Sequence, residues 1–205
     1  MLTLPELMNL PSLPDGSRTI RKTIRPSLAG FLDASVGTGS VTLETGIGMS
    51  TLVILRKQPR QHTAVMPDPD QCAAVLELAE QHGMDTRGLR VVVARSQDYV
   101  PTADLPALDL ILLGADRSFP VPIVEWYYAA EKLVIGGLMI VDDVQTAAGT
   151  MLADAMRADP RWQEVARDST GHFAAYRKQA HSIDDRGWTH GPGAFTPASR
   201  RPPLA

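Results

Sequence analysis

Short apolar runs of strand length alternate with longer segments of helical periodicity over most of the 205 residues. The alternation restricts the chain to very few architectures. The runs cover residues 41–44, 63–66, 90–94, 108–113 and 138–141. They are rich in Val, Ile and Leu, as strands buried on both faces are. Between them, Cys72, Val75, Leu76 and Ala79 recur at i, i+3, i+4, i+7, as do Ile123, Trp126, Tyr127 and Ala130, and Ala148, Met151, Leu152 and Ala155. Such repetition predicts βαβ units, hence a doubly wound, mostly parallel α/β sheet with helices on both faces. The ending differs. Residues 162–168 and 172–177 flank Ser169-Thr170-Gly171, a hairpin signal, so the sheet finishes with an antiparallel pair.

Outside this core the chain divides into an N-terminal arm and covering helix (1–35), a domain over 36–178 and a weakly ordered tail (179–205) that contains Pro192, Pro197, Pro202 and Pro203. Residues 1–16, punctuated by Pro5, Pro11 and Pro14, read as an extended arm suited to packing on a second subunit. Residues 17–35 read as helix, interrupted at Arg25, which precedes Pro26. A hydrophobic content of 44% with 21% charged residues is a globular balance. The net charge of -3 argues against nucleic-acid and membrane-surface partners, which call for a large basic field. The single Cys72 excludes an intrachain disulfide framework and suits a reducing compartment. The run 133–141 is too short to span a bilayer, and the N-terminus does not read as a signal peptide. The expectation is a cytoplasmic protein.

Ligands of open parallel sheets bind beyond the carboxyl ends of the strands. The most informative segment there is Glu44-Thr45-Gly46-Ile47-Gly48-Met49-Ser50-Thr51, after the first strand. Gly46 and Gly48 remove side chains where backbone turns sharply or approaches a ligand. Ser50 and Thr51 suit a helix cap, and Glu44 suits a cationic ammonium. A dinucleotide fingerprint would place a third glycine at Thr51, and no phosphate-binding G-x-x-x-x-G-K-[ST] loop exists.

The segment from Glu44 to Ser50 resembles the E/D-x-G-x-G-x-S motif of class I S-adenosylmethionine-dependent methyltransferases. The run Leu108-Asp-Leu-Ile-Leu-Leu, the segment Gly136-Gly-Leu-Met-Ile-Val-Asp-Asp and the final Phe173-Ala-Ala-Tyr-Arg-Lys strand are similar to later segments of the same family. The resemblance covers roughly residues 30–178. It implies a Rossmann-like sheet of seven strands in the order 3-2-1-4-5-7-6, with S-adenosylmethionine across the tips of strands 1 to 4. It further implies that Glu44, Gly46 and Gly48 hold the methionine end, with Ser50 alongside, that Ser96 and Gln97 lie near the adenine, and that Asp116 lies near the sulfonium and a small-molecule methyl acceptor.

The chain departs from the family at two points. Met66 stands where an acid normally binds the ribose hydroxyls, and Asp68 is the candidate replacement. Gly114-Ala115-Asp116-Arg117 stands where metal-dependent O-methyltransferases have D-A-D-K, so the first ligand is missing and no required metal is expected. Methyl transfer to oxygen or nitrogen depends on positioning and on a base. Asp116 and Asp143 are the candidates, with a helix cap as the competing role for one member of Asp142-Asp143. His62 reads as lying at the far end of the sheet, and His172 as a turn residue. Trp126, Tyr127 and Tyr128 read as a mainly buried stripe. Arg18, Arg21, Lys22 and Arg25 fall on one helix face, either solvated or lying over the strand tips. Two other functions stay open: a domain that binds S-adenosylmethionine or S-adenosylhomocysteine without catalysis, and an NAD- or nucleotide-dependent enzyme.

Overall fold

A computed structural model describes residues 2–10, 24–114 and 117–181. Its elements run α1 (Leu4–Met8), α2 (Pro26–Ser35), β1 (Val41–Thr45), α3 (Met49–Leu55), β2 (Gln61–Val65), α4 (Pro69–Gln81), β3 (Leu89–Val92), α5 (Ser96–Tyr99), β4 (Leu108–Leu113), α6 (Val121–Lys132), β5 (Leu133–Asp142), α7 (Ala147–Ala158), β6 (Trp162–Arg167) and β7 (Phe173–Lys178). Seven strands form one sheet in the order β3-β2-β1-β4-β5-β7-β6. The first five are parallel, and β7 is antiparallel to both β5 and β6. This is the doubly wound order expected from the resemblance.

Every residue of β1 is buried, because β1 sits between two strands and under helices on both faces. Its alternating side chains serve different layers. Val41 and Leu43 join a cluster with Ala129 and Ala130 of α6 and with Leu152 and Met156 of α7. The opposite face packs Leu110, Leu112 and Ile140 against α1 to α4, including Leu7, Leu28, Leu32, Leu52 and Val75. The turn after β1 therefore emerges at the middle of the sheet, where the chain crosses from one half to the other.

The described part of the N-terminal arm, residues 2–10, contains a short helix where an extended segment was expected. Thr3 caps α1, its hydroxyl accepting from the Glu6 amide while the Glu6 carboxylate accepts from the Thr3 amide. Pro5 lies in the first turn, where its missing N–H costs nothing. Leu7 then buries fully in the same core as α2. The covering helix begins at Pro26. Residues 17–23, with Arg18, Arg21 and Lys22, lie outside the described residues, as does nearly all of the 179–205 tail. Strand β5 is longer than the expected 138–141 and reaches back to Leu133. Its register slips, with Leu108 paired to Leu133 and Leu110 to Leu138. Among the described residues no helix is long and apolar enough to cross a membrane.

The C-terminal hairpin carries an acid-sensitive cluster. Arg167 donates to Glu164 at 2.8 Å and Arg157 at 3.2 Å. Arg167 first, and then Arg157, hold the Glu164 carboxyl down from 4.5 to about 2 against the opposing effect of burial. A depressed folded value means that this contribution is complete above the unfolded value and is lost as pH falls towards about 2. Urea midpoints measured across that window should decline in the wild type, and less steeply in Glu164→Gln.

Candidate functional site

A cavity of about 1010 Å³ opens at the carboxyl ends of β1, β2, β4 and β5. Its floor is the turn after β1. Gly46 has φ 107°, in the left-handed region that disfavours side chains, and its amide donates to the Val65 carbonyl at 2.8 Å. Gly48 is extended and lines the cavity, and a Cβ built there would meet nothing within 4 Å. The main chain is thus bare towards the cavity at both glycines.

Glu44 fixes the shape of this turn. Its carboxylate, 3% exposed, accepts from the Ser50 hydroxyl and, at 2.7 Å, from the Thr51 hydroxyl. Thr51 also accepts from the Gly48 amide at 2.9 Å. Ser50 and Thr51 therefore sit inside the first turn of α3, not at its cap, and tie that turn to Glu44. His62, fully buried in β2, shares a 2.8 Å hydrogen bond with Thr42 through Nδ1. Its Nε2 lies 3.3 Å from Glu44 Oε2, off the line of a hydrogen bond. His62 lies near the start of β2, away from the carboxyl ends of the strands as expected, and does not line the cavity, although its ring comes beside Glu44.

The β2 and β3 tips form one side wall. Met66, Pro67, Gln71, Ser96 and Gln97 line it. Gln71 donates to the Ile47 carbonyl at 2.8 Å, joining α4 to the glycine turn. Asp68 does not line the cavity. It caps α4, accepting from the Asp70 and Gln71 amides at 3.0 and 3.3 Å.

A second buried carboxylate lies beneath this wall. Glu125 of α6, 1% exposed, accepts from the Ser96 hydroxyl and, at 3.1 Å, from the Thr45 hydroxyl. Thr45 in turn accepts from the Gly114 amide at 3.1 Å. One side chain of α6 thus ties the tips of β1 and β4 to the start of α5. The buried stripe of α6 is Val121, Pro122, Glu125, Ala129 and Ala130. Tyr127 and Tyr128 are exposed, at 42% and 39%, and of the expected aromatic stripe only Trp126 packs against the core.

The opposite wall is built of acids and arginines. Asp143 Oδ1 accepts from Arg25 at 3.2 Å and Gln145 at 2.8 Å, and Oδ2 accepts from Arg117. Burial works to raise the Asp143 carboxyl, but the bonds from Gln145, Arg117 and Arg25 prevail and hold it below the ordinary range. It is a fixed anion and a poor base. Asp142 accepts from Arg25 at 3.4 Å, and burial, followed by the charge of Asp143, pushes its carboxyl up. Neither aspartate caps α7, because Thr146 accepts from the Gly149 amide in that role. Asp116 lies outside the described residues. A magnesium ion does not fit this wall. Gly114 offers no ligand, the Asp143 oxygens already face cationic and amide donors, and among the described residues no three His, Cys, Asp or Glu gather.

No protein-family description and no curated protein matches the chain. Solved structures do match. A cofactor-bound protein from MTB aligns over 86% of this chain and 86% of its own, with a TM-score of 0.65 at 19% identity. The O-methyltransferase TomG of Streptomyces achromogenes, solved with SAM, aligns over 77% of this chain and 82% of its own, with a TM-score of 0.65 at 14% identity. A candidate O-methyltransferase from Klebsiella pneumoniae matches over 77% and 82%, with a TM-score of 0.63 at 23% identity. The chain has the class I methyltransferase fold.

Within this methyltransferase fold, the sites expected at Glu44, Gly46, Gly48, Ser50, Ser96, Gln97 and Asp143 line one cavity, whereas Asp68 stands outside it. Sequence reasoning missed Glu125 and gave Asp142 only the role of a cap. A glutamate at i+4 from Val121 and i-4 from Ala129 was the available signal. Glu125→Ala would leave two buried hydroxyls without their acceptor, at about 1–3 kcal/mol for each unsatisfied group. Chemical denaturation should show a loss of that order, with Glu125→Gln clearly milder. Equal stability of Glu125→Ala and the wild type would contradict the bridging role.

Proposed function

We propose that this chain is an S-adenosylmethionine-dependent methyltransferase acting on an oxygen or nitrogen nucleophile of a small molecule. The observation that carries the reading is the bare main chain at Gly46 and Gly48, held open by Glu44 on the floor of the cavity. The cavity is at or above the ~300–1,000 Å³ of small-molecule sites. That is room for a nucleoside cofactor and an acceptor together. Bound S-adenosylmethionine supplies a methyl group on a cationic sulfur, a good leaving group. Residues 36–178 form the proposed catalytic domain, with 1–35 as its cover.

In this reading the backbone at Gly46–Gly48 receives the amino-acid end of the cofactor. Ser96 and Gln97 flank the adenine, with the Ser96 hydroxyl itself committed to Glu125. The depressed Asp143 carboxyl orients Arg25 and Arg117, whereas Asp142, raised by burial, is the better proton acceptor of the pair. Asp116 remains a further candidate base. Catalysis rests chiefly on alignment of nucleophile and methyl group, as an in-line displacement allows.

One observation favours a second reading, a domain that binds the cofactor without methyl transfer. Asp143, the first candidate base, is locked in ion pairs. Calorimetry with S-adenosylmethionine, S-adenosylhomocysteine, NAD and ATP tests the cofactor that both readings share, and formation of a methylated product from hydroxyl- and amine-bearing acceptors separates them. Binding of the first two alone is expected, with at least a hundredfold loss in Gly46→Val, where a β-branched side chain meets both the left-handed backbone and the ligand space. Binding of NAD alone would overturn the proposal.

A further inference from the structure

The wall opposite the adenine side sets two arginines against two aspartates, and its guanidinium N–H groups outnumber the bonds that the aspartates take. Arg25 and Arg117 both line the cavity, with side chains 33% and 42% exposed. A guanidinium carries five N–H donors in a planar fork. Arg25 spends one N–H on Asp142 and one on Asp143, and Arg117 directs its Nε and Nη2 at Asp143. Among the described residues, no acceptor takes the other N–H groups of either arginine. Asp143, which lines the same cavity, pairs with both forks. Ile24, Leu28 and Leu112 supply an apolar surface in the same cavity, and all three are buried. Asp142 stands beside Arg25, at the end of β5.

We propose that this wall binds the methyl acceptor, and that the acceptor is a hydroxy acid: an apolar body bearing an anionic carboxylate that Arg117 and Arg25 hold, with a hydroxyl directed at Asp142. The inference rests on the methyltransferase reading and adds the acceptor class to it. Guanidinium forks match a carboxylate in geometry and charge, and a neutral amide or ester would leave N–H groups unmatched. In the transfer, the hydroxyl oxygen forms its bond to the methyl carbon as the carbon–sulfur bond breaks. The sulfur keeps that electron pair, and the hydroxyl proton passes to Asp142. The acceptor carboxylate is held in this proposal by the guanidinium N–H groups that Asp142 and Asp143 leave unused.

The test is calorimetry on the full chain saturated with S-adenosylhomocysteine. The probes are 2-, 3- and 4-hydroxybenzoate, each paired with its own amide. At least one acid should bind tenfold or more tightly than its amide, with EDTA present. Arg117→Gln should remove that preference, Arg117→Lys should restore it only in part, and neither should move S-adenosylhomocysteine affinity more than threefold. Three outcomes would overturn the proposal: acids and amides that bind equally or not at all, a preference that survives Arg117→Gln, or a tenfold loss of S-adenosylhomocysteine affinity in that variant, which would assign Arg117 to the cofactor. Failure of the wild type to bind S-adenosylhomocysteine would overturn this inference together with the reading beneath it.

Discussion

The carboxylate of Glu44, buried at the tip of the central strand, accepts hydrogen bonds from the Ser50 and Thr51 hydroxyls in the first turn of α3. Burying an ionised carboxylate costs several kcal/mol unless its oxygens are satisfied. The turn between strand and helix therefore cannot relax without giving up these bonds. Gly46 takes the backbone through a conformation that other residues resist, and Gly48 leaves its surface empty. The open floor of the cavity follows from these constraints, and the walls are placed relative to it.

A parallel device works on the opposite face of the sheet. Alternation along β1 sends Glu44 towards α3 and Thr45 towards α6, where the buried Glu125 gathers Thr45 and Ser96. Two carboxylates, one on each layer, fix the relative positions of the β1, β4 and β3 exits. Both are held by hydroxyl groups, which bond without adding charge to the protein interior. Ion pairs are found on the opposite wall, where Arg25 and Arg117 meet Asp142 and Asp143.

The strand alternation made the layer architecture legible, and the glycine segment made the site's location legible. Both signals are local in sequence. The antiparallel close was readable for the same reason, from Ser169-Thr170-Gly171 between two strand-length runs. What was not legible depends on partners far along the chain. Glu125 meets Thr45 across 80 residues, and Arg25 meets Asp143 across 118. Helical periodicity assigned the core face of α6 to the aromatic side chains, because a buried glutamate with hydroxyl partners looks like a solvent residue in sequence. Asp68 shows the converse. Its position after β2 suggested ligand contact, but Pro69 starts a helix there and Asp68 caps it.

The most direct test of the account is a crystal structure with S-adenosylhomocysteine bound. The amino-acid end of the ligand should lie against the Gly46–Gly48 main chain, with the adenine beside Gln97 and Glu44 still joined to Ser50 and Thr51. A ligand seated elsewhere on the sheet, or a rearranged Glu44 with the glycine turn closed over the cavity, would contradict it.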